Sequence, residues 1–376
     1  MSDCATRRTR LAALADSAGL DLLFVPPGAD LEYLTGLQRR VATFGEINYT
    51  HGWVAGAFLP AANDPVLVLP RMTAEFDLPE GTDGEVVVVG ENDDAEAVFG
   101  EVARRWGPVR RLGIGARTWG ETVIGLRAAL GGPELVSVGP LVNRLRRIKA
   151  PDELAAMRRA CAAADAAMGA VRGRVVAGIR ERDLAEEIDH HLAANGSRAP
   201  SFDTGVWAMG PDDSRDATVR VSGAPLRAGT GVSFDFGGVI DGYCSDFGRT
   251  VHIGEPPPEY RKVYELVMTA QAAGIAATRP GVTAAEVDAA SRAVLDDAGY
   301  GHWFRHRTGH CIGLDVHERP FISSEDATVL EAGMTFTVEP SVFRPGYVGV
   351  RVEDIVVVTD SGAEKLNTYP TDLVAT

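Results

Sequence analysis

No stretch of this 376-residue chain approaches the roughly 20 consecutive apolar residues that a membrane-spanning helix requires. Cysteine is scarce. The four present, Cys4, Cys161, Cys244 and Cys311, lie far apart and form no CxxC pair. That spacing argues against a disulfide scaffold and predicts a reduced, cytoplasmic protein. Cationic clusters are also missing: 37 Lys and Arg stand against 52 Asp and Glu, for a net charge of −15. Nucleic acids and anionic membranes both need clustered positive charge, so neither is predicted as a partner. Acidity by itself is equally consistent with plain solubility. The first 19 residues alternate Arg with Ala and Leu and lack the apolar core of a signal peptide.

What remains is an ordinary globular composition, 45% hydrophobic and 24% charged, long enough to fold on its own core. Residues 1–145 alternate helix-like and strand-like runs, which predicts an α/β layer fold. Helices are predicted over 10–18, 95–106 and 122–130. Strands are predicted over 21–25, 54–59, 66–69 and 86–89. Gly113-Ile-Gly115 reads as a turn after a strand, because no further Gly and no acidic partner complete a dinucleotide loop. The basic run 141–149 followed by Pro151 marks a domain boundary, and residues 150–376 form the second domain. Pro151 suits the first turn of a helix, and Asp152 and Glu153 favour its N-terminal end.

The second domain carries an internal repeat. Gly178, Ile179, Leu184, Leu192 and Gly196 match Gly281, Val282, Val287, Leu295 and Gly299, each 103 positions later. Each copy is a helix opened and closed by glycine. Two halves related by a pseudo-two-fold, with a site between them, are the expectation.

The residues that carry chemistry cluster in this domain. Asp235 sits in an apolar alternation, Val232-Ser-Phe-Asp-Phe236, where an unpaired charge is costly. Asp241-Gly242 reads as a hairpin turn, which brings Asp235 toward Asp246. Asp241 and Asp246 also suit turns on their own account. Three of the eight histidines, His306, His310 and His317, fall within twelve positions beside Gly309 and Gly313. Glu339 ends an apolar strand. Arg351 and Glu353 share one face of another, since residues two apart point the same way. Four carboxylates and one imidazole make an oxygen-rich set suited to Mn²⁺, Fe²⁺, Co²⁺ or Zn²⁺.

On these motifs the chain resembles the pita-bread metallohydrolases, the group of methionine aminopeptidase, aminopeptidase P, prolidase and creatinase. The likeness runs from Ile148 to Val357. Residues 1–145 are similar to the creatinase/prolidase N-terminal domain through Asp21-Leu-Leu-Phe-Val and Tyr33-Leu-Thr-Gly36. The resemblance implies an α+β catalytic domain that holds two divalent ions and hydrolyses an amide C–N bond of Xaa-Pro type. Asp235 would chelate one ion, Asp246 and Glu353 would bridge both, and His310 and Glu339 would bind the second. Glu339 would also shuttle a proton, His317 would support the oxyanion, and His306 and Arg351 would orient ligands. The same resemblance implies a homodimer. It further implies a small-molecule or short-peptide substrate.

One departure is plain. Relatives carry a further His 17 residues before the first metal Asp; here that position is Thr218, and no His occurs from 192 to 251. Arg220, two residues on, is a candidate to replace it in gripping an anionic group. A non-peptidase hydrolase of a small amide, ectoine hydrolase-like, therefore stands as the alternative. A metal-free binding protein on the same fold is the remoter one. The polar segment 39–51 is a candidate pocket-closing loop or a plain surface loop.

Overall fold

The computed structural model describes residues 4–39, 49–62, 64–211 and 219–376. Thr218 and most of the 39–51 segment lie outside them. The chain divides into two compact units, Met1–Arg146 and Arg147–Thr376.

The first unit is a six-stranded mixed sheet. Its strands are β1 (Leu22–Val25), β2 (Gly56–Leu59), β3 (Val66–Pro70), β4 (Glu85–Val89), β5 (Arg111–Ile114) and β6 (Glu134–Ser137), in the order β4-β3-β2-β1-β5-β6. The continuous apolar runs of β1, β2 and β3 are buried at every residue, whereas edge strands β4 and β6 stay partly exposed. Helix Ala95–Ala103 delivers Phe99 to the core, where Phe24, Phe58 and Phe99 meet with ring centroids 5.0 to 5.7 Å apart. Such aromatic contacts favour edge-on packing. Two local expectations change. Gly113 lies inside β5, where a Cβ would stand 2.4 Å from Val138 Cγ1, so only Gly115 belongs to the turn. Val54 ends a 3₁₀ turn rather than starting a strand. The basic run after Leu141 is largely helix (Gly139–Arg146), with Val142 and Leu145 buried.

The second unit begins with helix Pro151–Val171, whose Glu153 carboxylate accepts from the Ala150 N–H at 2.7 Å. Two sheets follow. One contains β7 (Gly205–Met209), β8 (Gly231–Phe236), β11 (Phe247–His252) and β19 (Val374–Ala375), ordered β19-β11-β8-β7. The other contains β12 (Gly309–Cys311), β13 (Glu318–Ile322), β14 (Thr335–Val338), β17 (Asp354–Thr359) and β18 (Gly362–Lys365), ordered β13-β12-β14-β17-β18. Both are antiparallel throughout, except for the parallel pairing of β11 with β19 in the first. Two short ribbons, β9 (Val239–Ile240) with β10 (Tyr243–Cys244) and β15 (Ser341–Arg344) with β16 (Val348–Arg351), stand apart.

The repeat is physical. Helices Glu181–Ala194 and Ala284–Asp297 start 103 positions apart. Asp183 and Glu286 each accept from the backbone N–H three residues earlier. Gly178 and Gly281 precede the helices at φ 96° and 91°, and Gly196 and Gly299 follow at 90° and 80°; these left-handed conformations suit glycine. The N–H of Gly178 donates to Leu226 O and that of Gly281 to Leu330 O. The order β7-β8-β11 recurs as β12-β14-β17.

Candidate active site and metal centre

Alternation along β8 decides what faces the site. Val232, Phe234 and Phe236 enter a hydrophobic core with Val206, Leu184 and Ile188. Ser233 and Asp235 therefore point to the other side. Across the ladder, Asp235 pairs with Gly205 of β7 and Gly248 of β11. Asp235 is thus flanked by two residues without side chains. Over Gly248 lie Arg351 and Glu353: a Cβ there would be 2.7 Å from Arg351 Cδ and from Glu353 Oε2.

Asp246 ends the loop that returns from β8 to β11. That loop is not a bare hairpin. It includes the ribbon β9–β10, turned by Asp241 and Gly242 at φ 49° and 83°, the two positive values of a type I′ turn. Glu353 likewise differs from the single strand read in the sequence. The 348–358 run splits: β16 pairs with β15, β17 pairs with β14, and Glu353 sits at the change of sheet, its N–H donating to Gly248 O at 2.9 Å. Arg351 and Glu353 still share a side, Nη1 to Oε2 3.4 Å.

Ligand atoms of Asp235, Asp246 and Glu353 lie within 4.8 Å of one another. His310, on β12, places Nε2 3.4 Å from both Asp246 Oδ2 and Glu339 Oε1. All five residues are buried, and they come from both halves of the duplication. Asp235 and Glu339 stand 104 positions apart, as β8 and β14 do, at the ends of matching strands. Asp246 and Glu353 each immediately precede the matching strands β11 and β17.

The electrostatics leave a cation-shaped deficit. Burial, then Asp246 and Glu339, push the Glu353 carboxyl well above its ordinary range. Burial, with Asp235 and Glu339, also raises Asp246. Glu339 is held low, because Arg351, His310 and His306 together outweigh its burial. Asp246 Oδ1 and Glu353 Oε1 are buried and have no hydrogen-bond partner among the described residues. His310 Nδ1 faces Cys311 O at 3.2 Å. A carbonyl only accepts, so Nδ1 donates, and the neutral ring aims the Nε2 lone pair at two carboxylates. That arrangement requires a proton or a cation between them. Burial opposes the proton, but Asp246 and Glu339 raise His310 on balance. Two guanidinium groups, Arg351 and Arg220, contact Asp235 Oδ2, yet neither reaches the orphaned oxygens. The residues present fit an oxygen-rich divalent metal centre.

The other expected site residues surround this cluster. The His317 ring lies 4.2 Å from that of His310, and burial with His310 pushes it down to about 4. Burial pushes the His306 imidazole below its ordinary range. Its Nδ1 donates to Arg307 O at 2.7 Å, so Nε2 accepts from Ser341 Oγ at 2.6 Å. Cys311 is buried among Val287, Phe336 and Val356, its thiol pushed up to about 12 by burial.

Sequence reasoning missed the support beneath the cluster. Arg249 is 2% exposed and donates to Gly248 O, Glu353 O, Tyr369 O, Pro370 O and Asp354 Oδ1. Asp354 also accepts from Gln271 Nε2 at 3.0 Å and Lys365 Nζ at 3.1 Å. Asp288 fixes the approach to β12 by accepting from Thr308 N and Oγ1. In the sequence Arg249 stands between Gly248 and Thr250, and Asp354 heads an apolar run; neither pattern names the distant partners.

A buried, carboxylate-rich centre with one imidazole defines a metal-dependent hydrolase of the metallopeptidase type. Residues 155–360 match the model of metallopeptidase family M24, and residues 7–148 match the creatinase/prolidase N-terminal domain. The chain belongs to metallopeptidase family M24. It is 38% identical over 373 residues to a protein described as probable dipeptidase PepE from Mycobacterium tuberculosis, covering 98% of this chain and 96% of that one. It is 36% identical over 241 residues to a Xaa-Pro dipeptidase from Pyrococcus furiosus, covering 64% and 69% respectively. The solved prolidase from Thermococcus sibiricus superposes with a TM-score of 0.90 at 30% identity, covering 100% of both chains.

Proposed function

We propose that this chain is a dinuclear-metal peptidase that cleaves the bond preceding proline in dipeptides or other short peptides. The observation that carries the reading is the convergence of Asp235, Asp246, His310, Glu339 and Glu353 around two buried carboxylate oxygens that have no hydrogen-bond partner among the described residues. Bound divalent cations supply Lewis-acid polarisation and water of lowered pKa; Mn, Co, Fe and Zn all suit the donor set.

The chain's own groups divide the remaining work. Glu339, kept ionised by Arg351 and His310 despite its burial, accepts a proton from the attacking water and passes it to the leaving nitrogen. Thr337 Oγ1, 3.1 Å from Glu339 Oε1, holds that carboxylate in line. His317, neutral at pH 7, donates to the developing oxyanion. His306 and Arg351 keep the surroundings of Glu339 and Asp235 in place. Substrate binding falls to Arg220, half-exposed beside Asp235, and to Thr218, 17 positions before Asp235 in the sequence. The protein works as a homodimer, and in the cytoplasm, in keeping with four cysteines that form no disulfide.

The test is hydrolysis of a Xaa-Pro panel and small cyclic amides by protein supplied with Mn²⁺, with Glu339→Ala as control. Turnover of Xaa-Pro dipeptides by the parent alone supports the reading. Turnover confined to the cyclic amides favours the second reading, a small-amide hydrolase, which rests on Thr218 at the sequence position where relatives carry a His. Activity that persists in the Glu339→Ala variant rejects the mechanism. A parent that neither takes up metal nor hydrolyses anything points to a binding protein.

A further inference from the structure

Asp235 has a cationic neighbour that the candidate metal-ligand set does not include, Arg220. Gly205, directly across the ladder, leaves an empty place on the site face of β7, where directly opposite residues share a side of the sheet. Arg220 fills it. A Cβ on Gly205 would stand 2.8 Å from Arg220 Nη2, 2.9 Å from Trp207 Cζ3 and 3.0 Å from Arg220 Nε. Through that gap Arg220 Nη2 reaches Asp235 Oδ2 at 2.8 Å. The guanidinium also lies 5.7 Å from the Phe202 ring centroid and 5.8 Å from that of Trp207, within cation–π range.

The Arg220 backbone is fixed even though its side chain is 46% exposed. Arg220 O accepts from Val206 N at 2.9 Å. Buried Glu181 accepts from Ala208 N at 2.8 Å and Ser222 N at 2.7 Å, tying β7 and the 219–222 segment to one helix start. Arg351 contacts the same Asp235 oxygen but is itself largely buried and also reaches Glu339 and Glu353. Arg220 is thus the exposed, displaceable member of the pair.

We propose that Arg220, admitted by the missing side chain at Gly205, is a resident counter-cation that lowers the affinity of the Asp235 position for a divalent ion. The inference rests on the metal-centre reading above. The physics has one sign whether the guanidinium leaves or stays. If it leaves, its ion pair with Asp235 must be given up; if it stays, it repels the incoming dication. The effect is moderate, because a half-exposed pair is screened by solvent and salt. It keeps the centre exchangeable and holds a cation ready beside the first ligand.

The experiment is a Mn²⁺ titration of metal-free protein, read by calorimetry or by the electron-spin signal of free Mn²⁺. It compares the parent with Arg220→Ala, Arg220→Lys, Gly205→Ala and the Arg220→Ala/Gly205→Ala pair. Arg220→Ala is expected to tighten the dissociation constant at least about threefold, within the range of one partly exposed ion pair. Gly205→Ala is expected to tighten it similarly by excluding the guanidinium, and the double variant to add little to either change. Arg220→Lys is expected to stay nearest the parent. Unchanged or weaker binding in Arg220→Ala overturns the proposal while leaving the metal centre standing. No uptake by any variant or by the parent refutes the metal centre and this inference together.

Discussion

Replacing Glu353 by Gln should stabilise the metal-free protein and abolish its stabilisation by metal. Glu353 is 0% exposed, and one of its oxygens has no partner among the described residues. At an effective dielectric of 20, Arg351 at 3.4 Å attracts it by about 5 kcal/mol. Asp235 and Asp246, whose ligand atoms lie within 4.8 Å, each repel it by about 3.5 kcal/mol or more. Repulsion therefore exceeds attraction by about 2 kcal/mol before desolvation is counted. Glutamine keeps the shape, removes the charge, and offers an amide N–H to Asp246. For a unit of this size, about 2 kcal/mol corresponds to a rise in Tm of roughly 4–8 °C.

The pH dependence has a fixed sign. The folded pKa of Glu353 is raised above the ordinary 4.5. Its favourable contribution is present below that ordinary value and is lost as pH rises through the folded one. Asp246 acts in the same direction; Glu339, held low, acts in the opposite one. The melting temperature of chelator-treated parent should therefore fall as pH climbs from about 4.5 toward neutrality, and more steeply than that of Glu353→Gln. Adding Mn²⁺ at 100 times its Kd should stabilise the parent by about 2.7 kcal/mol and Glu353→Gln hardly at all. Differential scanning calorimetry with and without chelator measures all of this. A metal-free Glu353→Gln that melts below the parent would refute the reasoning.

Arg249→Lys keeps the charge but cannot reach all five acceptors, so unfolding by urea should show a loss of about 3 kcal/mol or more, the scale for breaking a buried pair. Gly248→Ala should move Glu353 and Arg351, weakening Mn²⁺ binding about 10- to 100-fold in a titration, the range for disturbing the support of metal ligands. With an aromatic disulfide reagent, Cys4 should react in the folded protein, whereas buried Cys161, Cys244 and Cys311 should react only after denaturation; fast labelling of Cys311 would contradict its packing.

Carboxylates inside apolar runs are conspicuous, and that is why the acidic members of the candidate cluster stand out in the sequence. Asp235 between Phe234 and Phe236, and Glu339 after Val338, can be singled out without neighbours. The duplication was legible for a similar reason, because its glycines occupy φ values that few other residues tolerate. The 348–358 run misled, since continuous Val and Ile do not reveal that β16 and β17 pair with different partners. Gly113 misled because a glycine required by the packing of Val138 and Leu23 reads locally as a turn. Arg249, Asp288 and the placing of Arg220 over Gly205 depend on contacts from 15 to 121 positions away; no local pattern encodes them.

Asp235 and Asp246 belong to one half of the repeat and His310, Glu339 and Glu353 to the other, so neither half alone supplies the whole cluster. A cation gripped from both sides would act as a rivet across the seam. Chelation should consequently loosen the join before it unravels either leaf, and protease susceptibility during metal withdrawal should appear first where the leaves meet.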